Sequence, residues 1–355
     1  MDTIVQKIDL DRYTGEELQD AVKLLREGEL VAFPTETVYG LGADALRPEA
    51  AAKIYRAKGR PSDNPLIVHI ASMESLPVLA REIPEKALKL ADTFWPGPLT
   101  MIFPKQERVP LGTTGGLDTV AVRMPGHPLA KDLIQRSGLF IAAPSANISG
   151  RPSPTMAEHV YEDFKGKIPL ILDGGPVGIG LESTVVDMTG DIPVILRPGY
   201  ITREMLQEVV GRVETDRAIL EENAQRDFAP RAPGMKYKHY APKGSMTIVE
   251  GEPDEVVKTI NRLVEEKLSE GFRVGVIATT ETKDSYPRGM IRVIGSRADE
   301  DSIARGLYGV LREFDDLKAD YIYTEGFEEE ARLGQAIMNR LLKAAGHQVL
   351  KLKRF

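Results

Sequence analysis

Four polar side chains in two short segments could grip phosphate and carboxylate groups. Lys58 and Arg60 lie in KGRPSDNP, and Ser145 and Asn147 lie in APSANISG. A guanidinium binds phosphate oxygens in a planar fork and an ammonium acts as a point charge, so the cation pair suits a polyphosphate. None of the four is an obvious nucleophile or general base. The pattern favours a reaction driven by positioning and charge neutralisation.

Both segments also have an ordinary structural interpretation. Lys58 could complement the dipole at the end of a helix, and the Ser-x-Asn pair could satisfy the backbone of a turn. The two prolines of KGRPSDNP favour a functional turn, because they would fix the backbone so that Arg60, Asn64 and His69 converge.

Further hydroxyl and cationic groups stand beside glycine-rich or apolar stretches. In FPTETVYGLGADA, Thr35 and Thr37 flank Glu36; an extended conformation would put both hydroxyls on one face, although an ordinary edge strand would look the same. The run LGTTGGLDTVAVR ends at Arg123 and lacks the spacing of a Walker loop. A second glycine-rich run, GGPVGIGLES, ends at Ser183.

Composition narrows the class of protein. The formal charge of −7 argues against a protein that wraps duplex nucleic acid, which needs a basic face. With no cysteine there can be no disulfide or thiolate catalysis, and a reducing compartment is favoured. The histidines show no metal-ligand spacing. We find neither a signal-peptide pattern nor an apolar run of about 20 residues, so a cytoplasmic protein without membrane contact is expected.

The elements that must position these side chains alternate between helix and strand. Helices are predicted at 15–27, capped by Thr14, and at 48–58, where proline opens the helix and Gly59 ends it. Short apolar strands are predicted at 30–33, 66–70, 99–103, 120–123, 140–143, 170–172, 184–188 and 194–196. A mixed α/β fold with a largely covered sheet follows from this pattern.

The last third of the chain has its own pattern. Residues from about 214 to 242 show no sustained helix or strand periodicity and contain several prolines, together with Arg231, Lys236 and Tyr240. We expect this segment to fold over a site. Beyond it, strands at 246–249, 273–278, 291–294, 321–324 and 348–352 alternate with helices at 254–270, 301–314 and 328–345. This order predicts a small parallel sheet, Rossmann-like in outline but without a dinucleotide fingerprint.

Taken together, the segments PTETVYGLG, KGRPSDNP, SAN and PGMKYKHYAP closely resemble the threonylcarbamoyl-AMP synthase family in its long form. The resemblance implies a YrdC-like twisted mixed sheet with helices at 1–213, an interdomain linker or lid at 214–242, and a smaller Rossmann-like α/β domain at 243–355. It implies a nucleotidyltransferase that makes L-threonylcarbamoyladenylate and pyrophosphate from L-threonine, bicarbonate and ATP, for the threonylcarbamoyladenosine modification of tRNA.

The resemblance also implies roles for individual residues. The catalytic set would be Lys58, Arg60, Ser145 and Asn147. The threonine pocket would include Thr37, His69, Arg123, Ala143 and Ser183. The ATP site would include Arg60, Asn64, Thr119, Ser145, Ser153, Arg197, Lys236 and Tyr240.

The same resemblance implies that Mg²⁺ arrives with ATP, bridging phosphates and needing few protein ligands, so no protein metal site is expected. The adenylate would be handed to the tRNA threonylcarbamoyl transferase, without stable nucleic-acid binding. Two alternatives stay open: a double-stranded RNA or tRNA-binding module, and a related enzyme of carbamoyl-adenylate or sugar-phosphate lyase chemistry. An RNA mobility shift would distinguish the first alternative from the synthase, and the threonine dependence of pyrophosphate release would distinguish the second.

Overall fold

The structure is a computed structural model that describes residues 2–220, 240–328 and 330–352, without the side chains of 218 and 220. Two compact units can be distinguished. One holds the described residues of Met1–Ser149, Ser153–Gly178 and Glu182–Tyr237, and the other holds Gly150–Pro152, Ile179–Leu181 and those of Lys238–Phe355. The predicted domain boundaries at 213 and 242 flank residues 221–239, which lie outside the described residues. These boundaries therefore stay a prediction.

The first unit is built on a mixed sheet of eleven strands among the described residues. In sheet order the strands are β1, β8, β2, β3, β7, β4, β6, β5, β9, β10 and β11. Their bounds are β1 Ile4–Lys7, β2 Val31–Phe33, β3 Gly40–Asp44, β4 Ile67–His69, β5 Leu99–Pro104, β6 Thr119–Arg123, β7 Ile141–Ala142, β8 Leu170–Asp173, β9 Thr184–Asp187, β10 Val194–Arg197 and β11 Glu214–Thr215.

Helices connect these strands. They are α1 Gln19–Arg26, α2 Pro48–Lys58, α3 Leu76–Leu79, α4 Glu85–Phe94, α5 Leu111–Thr114, α6 Pro128–Ser137, α7 Ala157–Phe164, α8 Arg203–Val210 and α9 Arg217–Leu220. Helix α2 has its predicted bounds, and Gly59 ends it in the left-handed conformation at φ 60°. The helix expected at 15–27 instead opens with a 3₁₀ turn, because Gly15 stands at its N-cap with φ 89°.

Apolar residues cover both faces of this sheet, as predicted. Ala32 of β2 belongs to one buried cluster, together with Ile54 of α2, whereas its neighbours Val31 and Phe33 belong to another. Successive residues of a strand point to opposite faces, so the two clusters lie on the two sides of the sheet. A covered sheet supplies a rigid frame for polar side chains at its strand ends.

The second unit is the small parallel sheet that the sequence predicted. Its strands are β12 Ser245–Glu250, β13 Val274–Ala278, β14 Met290–Val293, β15 Tyr321–Glu325 and β16 Val349–Lys351, in the order β14, β13, β15, β12, β16. Its helices are α10 Pro253–Ser269, α11 Glu300–Asp316 and α12 Gly334–Ala344. In the part of the chain that is described, no helix combines the length and apolar character needed to cross a membrane.

One predicted boundary in this unit is wrong. The helix expected from Glu328 begins only at Gly334. The backbone N–H of Leu333 donates to the Glu300 carboxylate of α11 at 2.7 Å, so a tertiary contact satisfies a group that a longer helix would have bonded internally.

Candidate active site

Polar side chains line up across three neighbouring strands of the first sheet. His69 of β4 pairs in register with Arg123 of β6, and Arg123 pairs with Thr100 of β5. Register partners project to the same face, so the imidazole, the guanidinium and the hydroxyl form one row. The flanking loops add further polar groups to this row.

The loop after β7 is tied to the end of α2 through Lys58. The ammonium of Lys58 donates to the carbonyl of Ser145 and, at 2.5 Å, to that of Asn147. The Ser145 hydroxyl donates to the Asn147 side-chain oxygen at 2.6 Å. Lys58 is 2% exposed, so this cation is held within the protein rather than spread on its surface. The structure therefore brings together three of the four residues predicted to be catalytic.

Arg60 lies in the turn that follows α2. Its Nη2 donates to the Asn64 side-chain oxygen at 2.6 Å and to the Pro65 carbonyl at 3.0 Å. The expected convergence of Arg60 and Asn64 is thus present. His69, which was expected in the same group, pairs in register with Arg123. The prolines fix the turn, whereas β4 carries His69 into the row on the sheet.

Arg123 is the hub of the predicted threonine pocket. Its Nε donates to the Gly97 carbonyl at 3.2 Å, and its Nη1 donates to the Thr37 hydroxyl at 3.0 Å. Its Nη2 lies 2.6 Å from a carboxylate oxygen of Glu36. Three different parts of the chain therefore hold one buried guanidinium in a fixed orientation.

Thr37 reaches Arg123 from a turn, not from a strand. The Thr35 hydroxyl donates to the Val38 carbonyl at 2.6 Å and lies 2.8 Å from the Thr37 hydroxyl. The extended conformation considered for this stretch is therefore wrong. The two hydroxyls still meet, because the side chain of Thr35 closes the turn.

The charges of this pocket are set by burial and by Arg123. Burial, and after it the neighbouring guanidinium, lower the pKa of His69 to about 3, against the opposing effect of the Glu36 carboxylate. Burial raises the pKa of Glu36, but Arg123 outweighs burial and the net shift is downward. Near neutral pH the pocket thus holds a neutral imidazole, a carboxylate and a guanidinium.

A second cation adjoins Ser183 at the start of β9. Arg197 donates from Nη2 to the Ser183 hydroxyl at 3.1 Å and from Nε to its carbonyl at 3.0 Å. The Ser183 hydroxyl lies 2.8 Å from that of Thr100, which is the register partner of Arg123. A predicted threonine-pocket residue, Ser183, and a predicted ATP-site residue, Arg197, thus lie in contact.

The remaining predicted residues are placed as follows. Ser153 is buried and donates to the Glu182 carboxylate at 2.6 Å. Ala143 is buried, and its N–H donates to the Ile67 carbonyl. Thr119 opens β6 opposite Pro104, and among the described residues no hydrogen bond joins it to the others.

Two of the residues predicted to bind ATP belong to the linker. Lys236 is outside the described residues. Tyr240 belongs to the second unit, is buried at a φ of 66°, and packs against Tyr308 with ring centroids 5.2 Å apart.

Sequence reasoning missed Glu36, Thr100 and Glu182 as site residues. The signal for Glu36 was present, since it is the one acid in PTETVYGLG, between two threonines. Thr100 lies in an apolar strand, so only its register with Arg123 identifies it as a site residue.

The arrangement suits an anionic substrate better than a resident metal. Among residues 2–220, 240–328 and 330–352, no three His, Asp or Glu side chains are grouped to hold an ion. The donors are instead guanidinium, ammonium and hydroxyl groups, which bind carboxylates and phosphates. Such a site fits a Mg²⁺ that is carried mainly by phosphate oxygens and water.

Two family models match this chain. The model described as "Telomere recombination" matches residues 23–199, and the model described as "Threonylcarbamoyl-AMP synthase, C-terminal domain" matches residues 201–346.

Known proteins match over nearly the whole length. The threonylcarbamoyl-AMP synthase of Bacillus subtilis (strain 168) is 52% identical over 94% of each chain. That of Pyrococcus abyssi (strain GE5 / Orsay) is 52% identical over 94% of this chain and 95% of the relative. A crystal structure of P. abyssi Sua5 complexed with L-threonine matches with a TM-score of 0.92 and 50% identity, over 99% of this chain and 100% of that one.

Proposed function

This chain belongs to the threonylcarbamoyl-AMP synthase family, and from that premise we propose that it joins L-threonine, bicarbonate and ATP into threonylcarbamoyladenylate and pyrophosphate. The observation that carries the proposal is the buried Arg123, held by Thr37 and Glu36 beside Ser183, within a fold that matches a threonine-bound relative over 99% of the chain. The reaction is a nucleotidyl transfer.

Threonine binds in the row on the sheet. Arg123 takes the carboxylate, because a guanidinium offers parallel N–H donors to two oxygens. Thr37, neutral His69 and Ser183 surround the hydroxyl and methyl group, while Ala143 limits the volume of the pocket. The substrate is thereby held through its carboxylate, its hydroxyl and its methyl group.

ATP binds next to that pocket. Arg60 and Lys58 neutralise the triphosphate, and Asn64, Ser145, Asn147, Ser153 and Arg197 supply further donors. The contact between Arg197 and Ser183 supports a shared boundary between the two substrates. Thr119, Lys236 and Tyr240 complete the ATP site that the resemblance implies.

The chemistry needs little from the protein beyond placement. The threonine amine attacks the carbon of bicarbonate and water leaves, which gives a carbamate. A carbamate oxygen then attacks the α-phosphate of ATP while the bond to pyrophosphate breaks. Charge builds on the phosphate oxygens, and the fixed cations of Lys58 and Arg60 stabilise it without reorganising. A Mg²⁺ ion bound to ATP would supply further positive charge for the leaving pyrophosphate.

The product is a mixed anhydride that water would hydrolyse, so it must be passed on quickly. We place the enzyme in the cytoplasm, where the tRNA threonylcarbamoyl transferase would take the adenylate. Stable binding of the tRNA itself is not part of the proposal.

Pyrophosphate release by the full chain tests this function. We expect release to require both L-threonine and bicarbonate. Serine should be a weaker substrate, since a missing methyl costs about 1–3 kcal/mol, and valine weaker still, because it leaves site groups unpaired. Equal release with valine and threonine would rule out the proposed pocket.

A further inference from the structure

Glu36 holds a carboxylate beside the guanidinium that the proposed substrate carboxylate would bind. Its side chain is 18% exposed, and one of its oxygens lies 2.6 Å from Nη2 of Arg123. An acid beside the anion-binding cation of a pocket weakens the attraction of that cation for a simple anion, because the two negative charges repel each other. Anion binding alone therefore does not explain why Glu36 lies beside Arg123.

The hydrogen bonds of Arg123 leave N–H donors for both partners. A guanidinium has five N–H donors. Among the described residues, Gly97 takes the one on Nε, Thr37 takes one on Nη1, and Glu36 faces one on Nη2. One N–H remains on each terminal nitrogen, which is the number that a bidentate carboxylate uses.

The charges that surround Glu36 come from several elements. Arg123 faces it from β6, His69 from β4, and His127 from the N-cap of α6. Burial lowers the pKa of both histidines, so both are neutral near pH 7 and Arg123 is the cation of the group. The formal charge of the pocket is then close to zero, with one positive and one negative group side by side.

We propose that Glu36 makes this pocket selective for a zwitterionic α-amino acid, by orienting Arg123 for the substrate carboxylate and offering its own carboxylate to the substrate ammonium. The inference rests on the proposed function and deepens it. The two adjacent charges of the pocket are opposite in sign to the two adjacent charges of threonine. Arg123 faces the carboxylate and Glu36 faces the ammonium. A ligand with only the carboxylate gains the attraction of Arg123 but meets the repulsion of Glu36.

Glu36 acts in recognition and not as a base. Because Arg123 holds its pKa below the ordinary value for a carboxyl, it is a weak proton acceptor. It therefore binds the incoming ammonium, and the proton leaves to solvent or bicarbonate when the carbamate forms.

Calorimetric binding to the full chain tests the inference with two ligands, L-threonine and (R)-3-hydroxybutanoate, which is threonine without its amino group. For Glu36→Gln we expect threonine to bind about ten- to a hundredfold more weakly, the range for a lost charge-assisted hydrogen bond. The hydroxybutanoate should bind as tightly as before or more tightly. Structural damage alone would weaken both ligands together, and an unchanged ratio of the two affinities would overturn the inference.

Two further variants sharpen the comparison. Glu29→Gln removes a carboxylate from another ion pair of 2.6 Å, with Lys53, and should leave both affinities unchanged. Glu36→Asp keeps the charge but retracts it by one methylene, and should reduce the preference for threonine several-fold. If Glu36→Gln does not fold, an unchanged preference in Glu36→Asp contradicts the inference.

Turnover separates this inference from the function on which it rests. Glu36→Gln should raise the KM for threonine while the KM for ATP stays the same. If the wild-type chain binds threonine in a manner that depends on Glu36 but releases no pyrophosphate, the proposed function fails and the inference stands. If pyrophosphate is released and Glu36→Gln keeps the wild-type ligand preference, only the inference fails.

Discussion

At the scale of single residues, Lys58 and Arg60 carry the proposed charge neutralisation. Lys58→Ala and Arg60→Ala should each reduce turnover about tenfold to several-hundredfold. Each change removes charge-assisted contacts worth roughly 1.5–3 kcal/mol in binding, and more if they tighten in the transition state. Steady-state pyrophosphate release measures the loss, and near-identical circular dichroism spectra show that the variants fold.

Lys53→Ala is the matched control for these two changes. Lys53 lies on the same helix as Lys58 but pairs with Glu29, with about a third of each side chain exposed. Its loss should leave turnover within about twofold, as expected for a pair near the surface. If Lys58→Ala and Arg60→Ala behave like this control, the catalytic assignment is wrong.

His69 links the pocket to acid stability. Its pKa is about 3 in the folded protein, against about 6.5 when unfolded. Between these values the unfolded chain binds the extra proton, so the free energy of unfolding should fall as the pH drops from 6.5 towards 3, by up to about 1.4 kcal/mol per pH unit.

Chemical denaturation at several pH values compares the wild type with His69→Gln. The variant should lose the part of the slope that begins near pH 6.5. Glu36, whose folded pKa is lowered beside Arg123, adds stability that is lost at lower pH and should remain in both proteins. Parallel curves between pH 6.5 and 5 would mean that His69 is not buried in its neutral form.

At the scale of elements, local sequence signals predicted the helix ends that neighbouring residues determine, and missed an end that a tertiary contact determines. Helix α2 was placed correctly because Pro48 opens it and Gly59 ends it, and both act within one turn of the chain. Helix α12 was placed too early because a carboxylate on α11 bonds the backbone at Leu333, which no local pattern reveals.

The same distinction explains which parts of the site were found. Lys58, Ser145 and Asn147 stand in short motifs, and the structure joins them directly. The partner of Glu36 is Arg123, 87 positions later, so its role depends on how β6 meets the turn after β2. Contacts between segments that are far apart in the sequence can be identified only once the fold is known.

The segment from Arg231 to Tyr240 is the element that we expect to close over bound substrates. Residues 231–239 lie outside the described residues, and the expectation comes from composition: cations would suit phosphate, aromatic rings would exclude water, and prolines would reduce the entropy lost on ordering. Cleavage by trypsin near Lys236 should slow when ATP and L-threonine are both present. Equal cleavage rates with and without the ligands would leave this segment as a connection only.

At the scale of the whole molecule, nearly all of the proposed site belongs to the first unit. A chain that ends before Thr215 retains Arg123, Thr37, Glu36 and Ser183, so it should still bind threonine by calorimetry. Synthesis of the adenylate should fall sharply, because the segment 231–240 is missing. If this shorter chain kept the full rate, the rest of the molecule would have no part in the reaction.

The central claim is that threonine, the carbon of bicarbonate and the AMP part of ATP end in one molecule. We would incubate the full chain with ATP, L-threonine and ¹³C-bicarbonate and analyse the quenched mixture by mass spectrometry. We expect an adenylate that contains threonine and the heavy carbon, formed in step with pyrophosphate. Consumption of ATP without a labelled adenylate, or with ADP and phosphate as the products, would contradict the claim.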